Sequence, residues 1–137
     1  MSTPKVLLIY TGGTIGMVAD ARSGILQAMD LDHLEEQVPE LERMGIALET
    51  VSFGTPIDSS DIHPVQWVRI AETIGKRYAE FDGFVVLHGS DTMAYTASAL
   101  SFLLEDLAKP VILTGSQLPL GTIRTDGKEN LLTAIEI

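Results

Sequence analysis

The chain has 137 residues, 45% of them apolar, which is enough for one domain with a buried core. Its 9 basic and 19 acidic residues give a formal charge of −10, which argues against nucleic acid or an anionic membrane surface as a partner. No cysteine is present, so disulfides, thiol catalysis and thiolate metal sites are excluded.

In chain order, Met1-Ser2-Thr3-Pro4-Lys5 leads straight into a strand, with too short an apolar run for a signal peptide. No later stretch has the length to span a bilayer, and the expectation is a cytoplasmic protein. Val6 to Ile9 is an apolar run that ends at Tyr10-Thr11-Gly12-Gly13-Thr14-Ile15-Gly16. Such a run, bounded by glycines, suits a strand covered on both faces in a parallel sheet. The carboxyl end of such a strand is where open α/β sheets bind ligands. One reading of the turn is structural, since glycine turns and strand threonines are common. A phosphate cradle fits poorly: the glycines at 12, 13 and 16 lack the dinucleotide spacing, and no lysine or arginine occurs from Val6 to Ala21. The third reading is Thr14 as a nucleophile presented on the turn, with partners supplied from elsewhere in the chain.

Met17 to Met29 has no sustained period and is expected to be a mobile loop over the end of the first strand. Leu31, Leu34, Val38 and Leu41 predict a short helix, with Asp30 as its cap and Pro39 interrupting it. A second strand is expected over Ile46 to Phe53, ending in the polar run Thr55 to Asp61. From Pro64, a helical spacing runs through Trp67, Ile70, Ala71, Ile74, Tyr78 and Phe81. Phe84 to Leu87 is again an apolar strand, ending at His88-Gly89-Ser90-Asp91-Thr92. The next helix runs to Lys109-Pro110: Ala94, Ala97, Ser98 and Ser101 form a face small enough for close packing, and Leu100, Phe102, Leu103, Leu104 and Leu107 add bulk. Met93 and Tyr95 are read as core. The figure recurs in Val111 to Thr114 before Gly115-Ser116-Gln117, and after a loop Asp126 is expected to cap a last helix carrying Leu131, Leu132 and Ile135. That helix has no stop signal before Ile137. Strand and helix alternation predicts an α/β fold, a largely parallel sheet with helices on both faces.

Parallel strands place their carboxyl ends on one edge, so Thr14, Ser59-Ser60, Ser90-Asp91 and Thr114 are expected to converge there. Acyl transfer is the natural chemistry: a threonine hydroxyl needs help with its proton, which a second hydroxyl beside a carboxylate can relay. Backbone N–H groups near Gly13 and Ser90 would hold the oxyanion. Asp61, Gly89 and Ser116 join the candidates because they flank these hydroxyls. No metal is expected: His33 lies on a polar helix face, His63 precedes Pro64, and His88 reads as structural, with no i, i+4 pair among them.

Thr11-Gly12-Gly13-Thr14-Ile15-Gly16, Asp58-Ser59-Ser60-Asp61 and His88-Gly89-Ser90-Asp91-Thr92-Met93-Ala94-Tyr95-Thr96-Ala97-Ser98-Ala99-Leu100 together resemble the L-asparaginases of bacterial type I. The resemblance implies hydrolysis of L-asparagine to L-aspartate and ammonia without a cofactor. It makes Thr14 the nucleophile, gives Ser90 the proton-relay position, has Asp91 bind the substrate's α-ammonium group, and has Ser59 and Ser60 hold the substrate. A homo-oligomer at full length is implied as well. Three departures accompany it. Ser90 stands where the family usually has threonine, no tyrosine occurs between Tyr10 and Tyr78, and the family's relay lysine would lie beyond residue 137. The expectation is therefore an amino-terminal catalytic domain, residues 1–137, truncated before its carboxyl-terminal partner. The alternative is a non-catalytic amino-acid-binding domain without the base.

Overall fold

The first strand, β1 (Lys5–Tyr10), is buried from Val6 onward, because it lies inside the sheet and both of its faces are covered. The computed structural model describes residues 2–137; Met1 and the side chain of His33, with the reading placed on it, lie outside the described residues. β1 pairs in parallel with β4 (Ala47–Ser52) on one side and β5 (Gly83–Leu87) on the other, and β5 pairs in parallel with β6 (Val111–Thr114). The order across the sheet is β4-β1-β5-β6.

Alternate residues of β1 point to opposite faces. Val6, Leu8 and Tyr10, with Val85 and Leu87, pack on Leu31, Leu34, Val38 and Leu41 and on Leu131, Ala134 and Ile135. These belong to the segment around α1 (Leu34–Gln37) and to α4 (Asp126–Glu136). Leu7, Ile9, Phe84 and Val86 meet Ile70, Ile74 and Leu100 on the other face, from α2 (Pro64–Arg77) and α3 (Met93–Leu103). Each fully buried aliphatic side chain contributes about 1.5–3 kcal/mol, so the two layers hold the strand ends in fixed relation. The α/β fold with helices on both faces is the one expected.

Four local expectations are corrected. Met17 to Met29 is an antiparallel hairpin, β2 (Met17–Ala19) against β3 (Leu26–Ala28), where a loop was expected. Asp20 closes its turn by accepting from Arg22 N–H at 3.0 Å and Ser23 N–H at 2.7 Å. α3 stops at Leu103, well before Lys109-Pro110. The following segment is drawn to the end of α2 instead: Lys109 Nζ donates to the carbonyls of Tyr78 and Phe81 at 2.5 and 2.6 Å, and Asp106 turns the chain at φ 52°. Only Thr96 and Leu100 of α3 are buried, so Tyr95 is 68% exposed, and Phe102, Leu103 and the small residues Ala94, Ser98 and Ser101 face solvent. The cap of α4 is Thr125, whose hydroxyl oxygen accepts from Gly127 N–H at 2.9 Å, and not Asp126. Asp126 reaches outward, to the loop after β6.

Candidate active site

From β1 the chain moves to β4 on one side, then crosses to β5 on the other. The turns after β1 and β5 therefore diverge, and a crevice opens between their carboxyl ends, as at the switch point of doubly wound sheets. Thr11 ties the two turns at the root: its N–H and its hydroxyl both donate to the Leu87 carbonyl, at 3.1 and 2.8 Å. Gly13 then runs at φ 89°, and a Cβ there would sit 2.6 Å from the backbone nitrogen of Gly89. Glycine is required by that approach of backbone to backbone. The third segment joins through Ile57 N–H to the Thr11 carbonyl at 2.9 Å and through Thr92 Oγ1, which donates to the Ser59 carbonyl at 2.6 Å.

A cleft of about 340 Å³ results, lined by Gly13, Thr14, Met17, Pro56, Ile57, Asp58, Ser59, Gly89, Ser90, Asp91, Ser116 and Gln117. Seven residues singled out from sequence meet there: Gly13, Thr14, Ser59, Gly89, Ser90, Asp91 and Ser116. Ser60 and Asp61 do not line it. Ser60 turns back on Asp58, whose Oδ1 accepts from its N–H and hydroxyl at 3.0 and 2.8 Å, while Asp61 lies 3.6 Å from His63 Nε2 with both side chains exposed. Thr114 is buried and directed at the Asn130 carbonyl, 3.5 Å away. Ser116 donates its hydroxyl proton to the Leu118 carbonyl at 2.5 Å, which leaves its oxygen as an acceptor. Sequence reading missed Met17, Pro56, Ile57, Asp58 and Gln117. Asp58 was visible as part of the polar run, and Gln117 as the residue after a strand-end glycine and serine.

Among the described residues the lining holds two carboxylates, Asp58 and Asp91, and no lysine, arginine or histidine, so the cleft favours a cationic group. The Ser60 hydroxyl and N–H hold the Asp58 carboxyl below its ordinary value. Beneath the cleft His88 is buried, with Nδ1 2.6 Å from the Gly89 carbonyl and Nε2 2.8 Å from Thr96 Oγ1. Trp67 Nε1 donates to the same Thr96 oxygen at 2.8 Å. Because that carbonyl can only accept, Nδ1 carries the proton and Nε2 accepts from Thr96. Burial lowers the His88 pKa, which keeps the ring neutral. Tyr10 lies under the first turn with its hydroxyl donating to the Gly13 carbonyl at 3.3 Å, and burial pushes its pKa up to about 12. It is a neutral prop for the turn and not a base.

A second cavity, of about 400 Å³, lies at the amino ends of the strands against Pro4, Val6, Ile46, Phe84, Pro110, Ile112 and Ile135. It is larger and mainly apolar. Among the described residues no group of three or more histidines and carboxylates could hold a metal ion, and no helix is long and apolar enough to cross a membrane.

The family described as "Asparaginase, N-terminal" matches residues 5–137. L-asparaginase 1 of Escherichia coli (strain K12) is 49% identical over 138 residues, covering 100% of this chain and 41% of the relative. The 60 kDa lysophospholipase of Mus musculus is 42% identical over 152 residues, covering 96% of this chain and 27% of that protein. The crystal structure of L-asparaginase I from Vibrio cholerae superimposes with a TM-score of 0.83 at 42% identity, covering 97% of this chain and 40% of that one. The chain thus spans about two fifths or less of the length of these relatives. A match that takes in every strand of the sheet and both turns of the cleft leaves one assignment: the chain belongs to the asparaginase family, in the region of its amino-terminal domain.

Proposed function

We propose that this chain is the amino-terminal catalytic part of an amidohydrolase that converts L-asparagine to L-aspartate and ammonia, with Thr14 as nucleophile. The observation that carries the reading is the meeting of Thr14, Ser90, Asp91 and Ser59 in one cleft at the switch point of the sheet. Asp91 takes the α-ammonium group of the substrate through a charge-assisted bond, and Ser59 holds the remainder. Thr14 Oγ then attacks the carboxamide carbon, forming a C–O bond while the carbonyl electron pair moves onto oxygen. Backbone N–H groups of the two turns supply the oxyanion donors, each worth about 3–4 kcal/mol where such groups have been removed. The Thr14 proton passes by way of the Ser90 hydroxyl. Collapse of the intermediate breaks the C–N bond, ammonia leaves with a proton, and water then hydrolyses the ester and restores Thr14. No step calls for a cofactor, and the proposed setting is a cytoplasmic homo-oligomer.

A second reading rests on a specific observation: among the described residues no lysine, arginine or histidine lines the cleft. Lys76 pairs with Glu72 at 3.4 Å, Lys128 with Glu40 at 2.6 Å, and Lys109 is held by backbone carbonyls. On this reading these residues bind the amino acid but lack the base, a loss typically of about 10²–10⁴-fold. Ammonia release from asparagine, measured beside L-aspartate binding, separates the two. Release that Thr14→Ala abolishes supports the hydrolase. Binding without release supports the binding domain, and neither binding nor release overturns both.

A further inference from the structure

Ser90 is exposed, on the first position of the turn after β5, and serine has a single heavy atom on Cβ beyond the chain. Without a second substituent its hydroxyl has three staggered positions to choose from. A proton relay needs one. Among the described residues the side chain that bonds to this hydroxyl is Gln117, whose Nε2 donates to Ser90 Oγ at 3.1 Å.

The stem of Gln117 is fixed more firmly than an exposed loop residue requires. Its N–H donates to Asp126 Oδ2 at 2.9 Å, and the N–H of Leu118 donates to Asp126 Oδ1 at 3.0 Å. One carboxylate on the first turn of α4 thus clamps two successive amides, and these bonds hold its pKa below the ordinary carboxylate value. The Leu118 carbonyl is gripped in turn by the hydroxyls of Ser116 and Thr125, at 2.5 and 3.0 Å. From that base the amide crosses to the β5 turn.

The polarity of the contact matters. An amide N–H uses one lone pair of the Ser90 oxygen and leaves the hydroxyl proton free to be donated into the cleft. It also draws charge from the oxygen, which makes that proton easier to pass on. We propose that Gln117 is a positioning residue: anchored by Asp126, its amide selects the Ser90 rotamer that turns the hydroxyl proton toward the cleft. The proposal rests on the reading of Ser90 as the relay hydroxyl.

The test compares the chain with Gln117→Ala, Ser90→Thr and the double variant, by two measurements. Three-bond couplings in isotopically labelled protein report the χ1 distribution at residue 90, and ammonia release from L-asparagine reports kcat and KM. Residue 90 is expected to hold one rotamer in the parent and to average among several in Gln117→Ala, with kcat falling about 3- to 10-fold at unchanged KM, as for loss of one hydrogen bond. In the double variant the β-branch of threonine restores a single rotamer and most of the lost kcat. Loss of a merely structural glutamine would not be rescued at residue 90. A single Ser90 rotamer that survives Gln117→Ala overturns the proposal, as does a double variant no better than Gln117→Ala in rotamer order. Absence of ammonia release from the parent counts against the hydrolase reading alone, because the couplings still decide the role of Gln117.

Discussion

At the amino ends of β1, β5 and β6 a cavity of about 400 Å³ is walled by Val6, Phe84, Pro110, Ile112 and Ile135. At the carboxyl ends of the same strands a smaller cleft, about 340 Å³, is walled by hydroxyls, carboxylates and glycine backbone. The strands are identical in both descriptions, so the difference comes from what the chain does on entering and leaving them. It enters through Pro4 and Pro110, which seat the strands, and leaves through Gly12-Gly13, Gly89 and Gly115, which let turns close on one another. Between these two ends, volume favours the amino end. Chemistry at the strand exits chooses the other, where the family's motifs also lie.

The largest expected effect comes from exchanging glycine for alanine at each end. Gly13→Ala places a Cβ 2.6 Å from Gly89 N at φ 89°, and the cost is about 2–4 kcal/mol from strain and overpacking, with the cleft lost. Gly83→Ala meets Pro110, its Cγ nearest at 3.3 Å, and should cost below about 1 kcal/mol. Urea midpoints of the two variants check this, and equal losses would erase the contrast.

Next in size is Thr14→Ala, which should abolish ammonia release while moving stability by no more than about 0.5 kcal/mol, because Thr14 is only partly buried on a turn. Full turnover in a coupled ammonia assay would move the chemistry to another hydroxyl. A paired carboxylate test sharpens the comparison further. Asp91→Asn should raise KM at least about tenfold through loss of a charge-assisted bond, whereas Asp82→Asn, in the wall of the amino-end cavity, should leave it unchanged. A lower kcat at constant KM for Asp91→Asn would place that carboxylate in the relay instead of at the ammonium.

The smallest effect concerns pH. Burial lowers the His88 pKa below its ordinary 6.5, so between the two values the unfolded chain binds more protons than the folded one. Stability then rises with pH across that interval: it is fully present above about 6.5 and is lost as pH falls through the folded value. Thermal midpoints recorded from pH 7.5 down to 5 should show this decline, and a His88→Phe variant, though less stable at pH 7.5, should show a shallower one. Equal slopes would remove His88 as the source.

Much of this geometry was legible before any coordinate. β1, β5 and β6 are apolar runs that enter glycine and hydroxyl residues, and a buried parallel strand writes itself that way. The cleft residues of β1 and β5 followed from those runs. The β2–β3 hairpin did not, because its strands are three residues each, too short to show an alternation, and depend on Asp20 closing the turn. Ser60 and Asp61 were drawn into the candidate site by their neighbours; the Asx turn at Asp58 points Ser60 back along its own chain. Asp126 read locally as a cap, yet its partners are Gln117 and Leu118, nine and eight residues earlier. Contacts across that distance leave no periodic trace. Gln117 was hidden for the same reason, since its role depends on a serine 27 residues away.

On the function proposed above, the amino acid binds at the carboxyl edge of the sheet. Titration of ¹⁵N-labelled protein with L-aspartate, followed amide by amide, tests it most directly. Shifts concentrated at Gly13, Thr14, Ser59, Ser90, Asp91 and Gln117, with Val6, Ile46, Gly83 and Ile135 unmoved, are the result expected. Shifts clustered at the amino-end cavity, or none at the carboxyl edge at saturating L-aspartate, would contradict it.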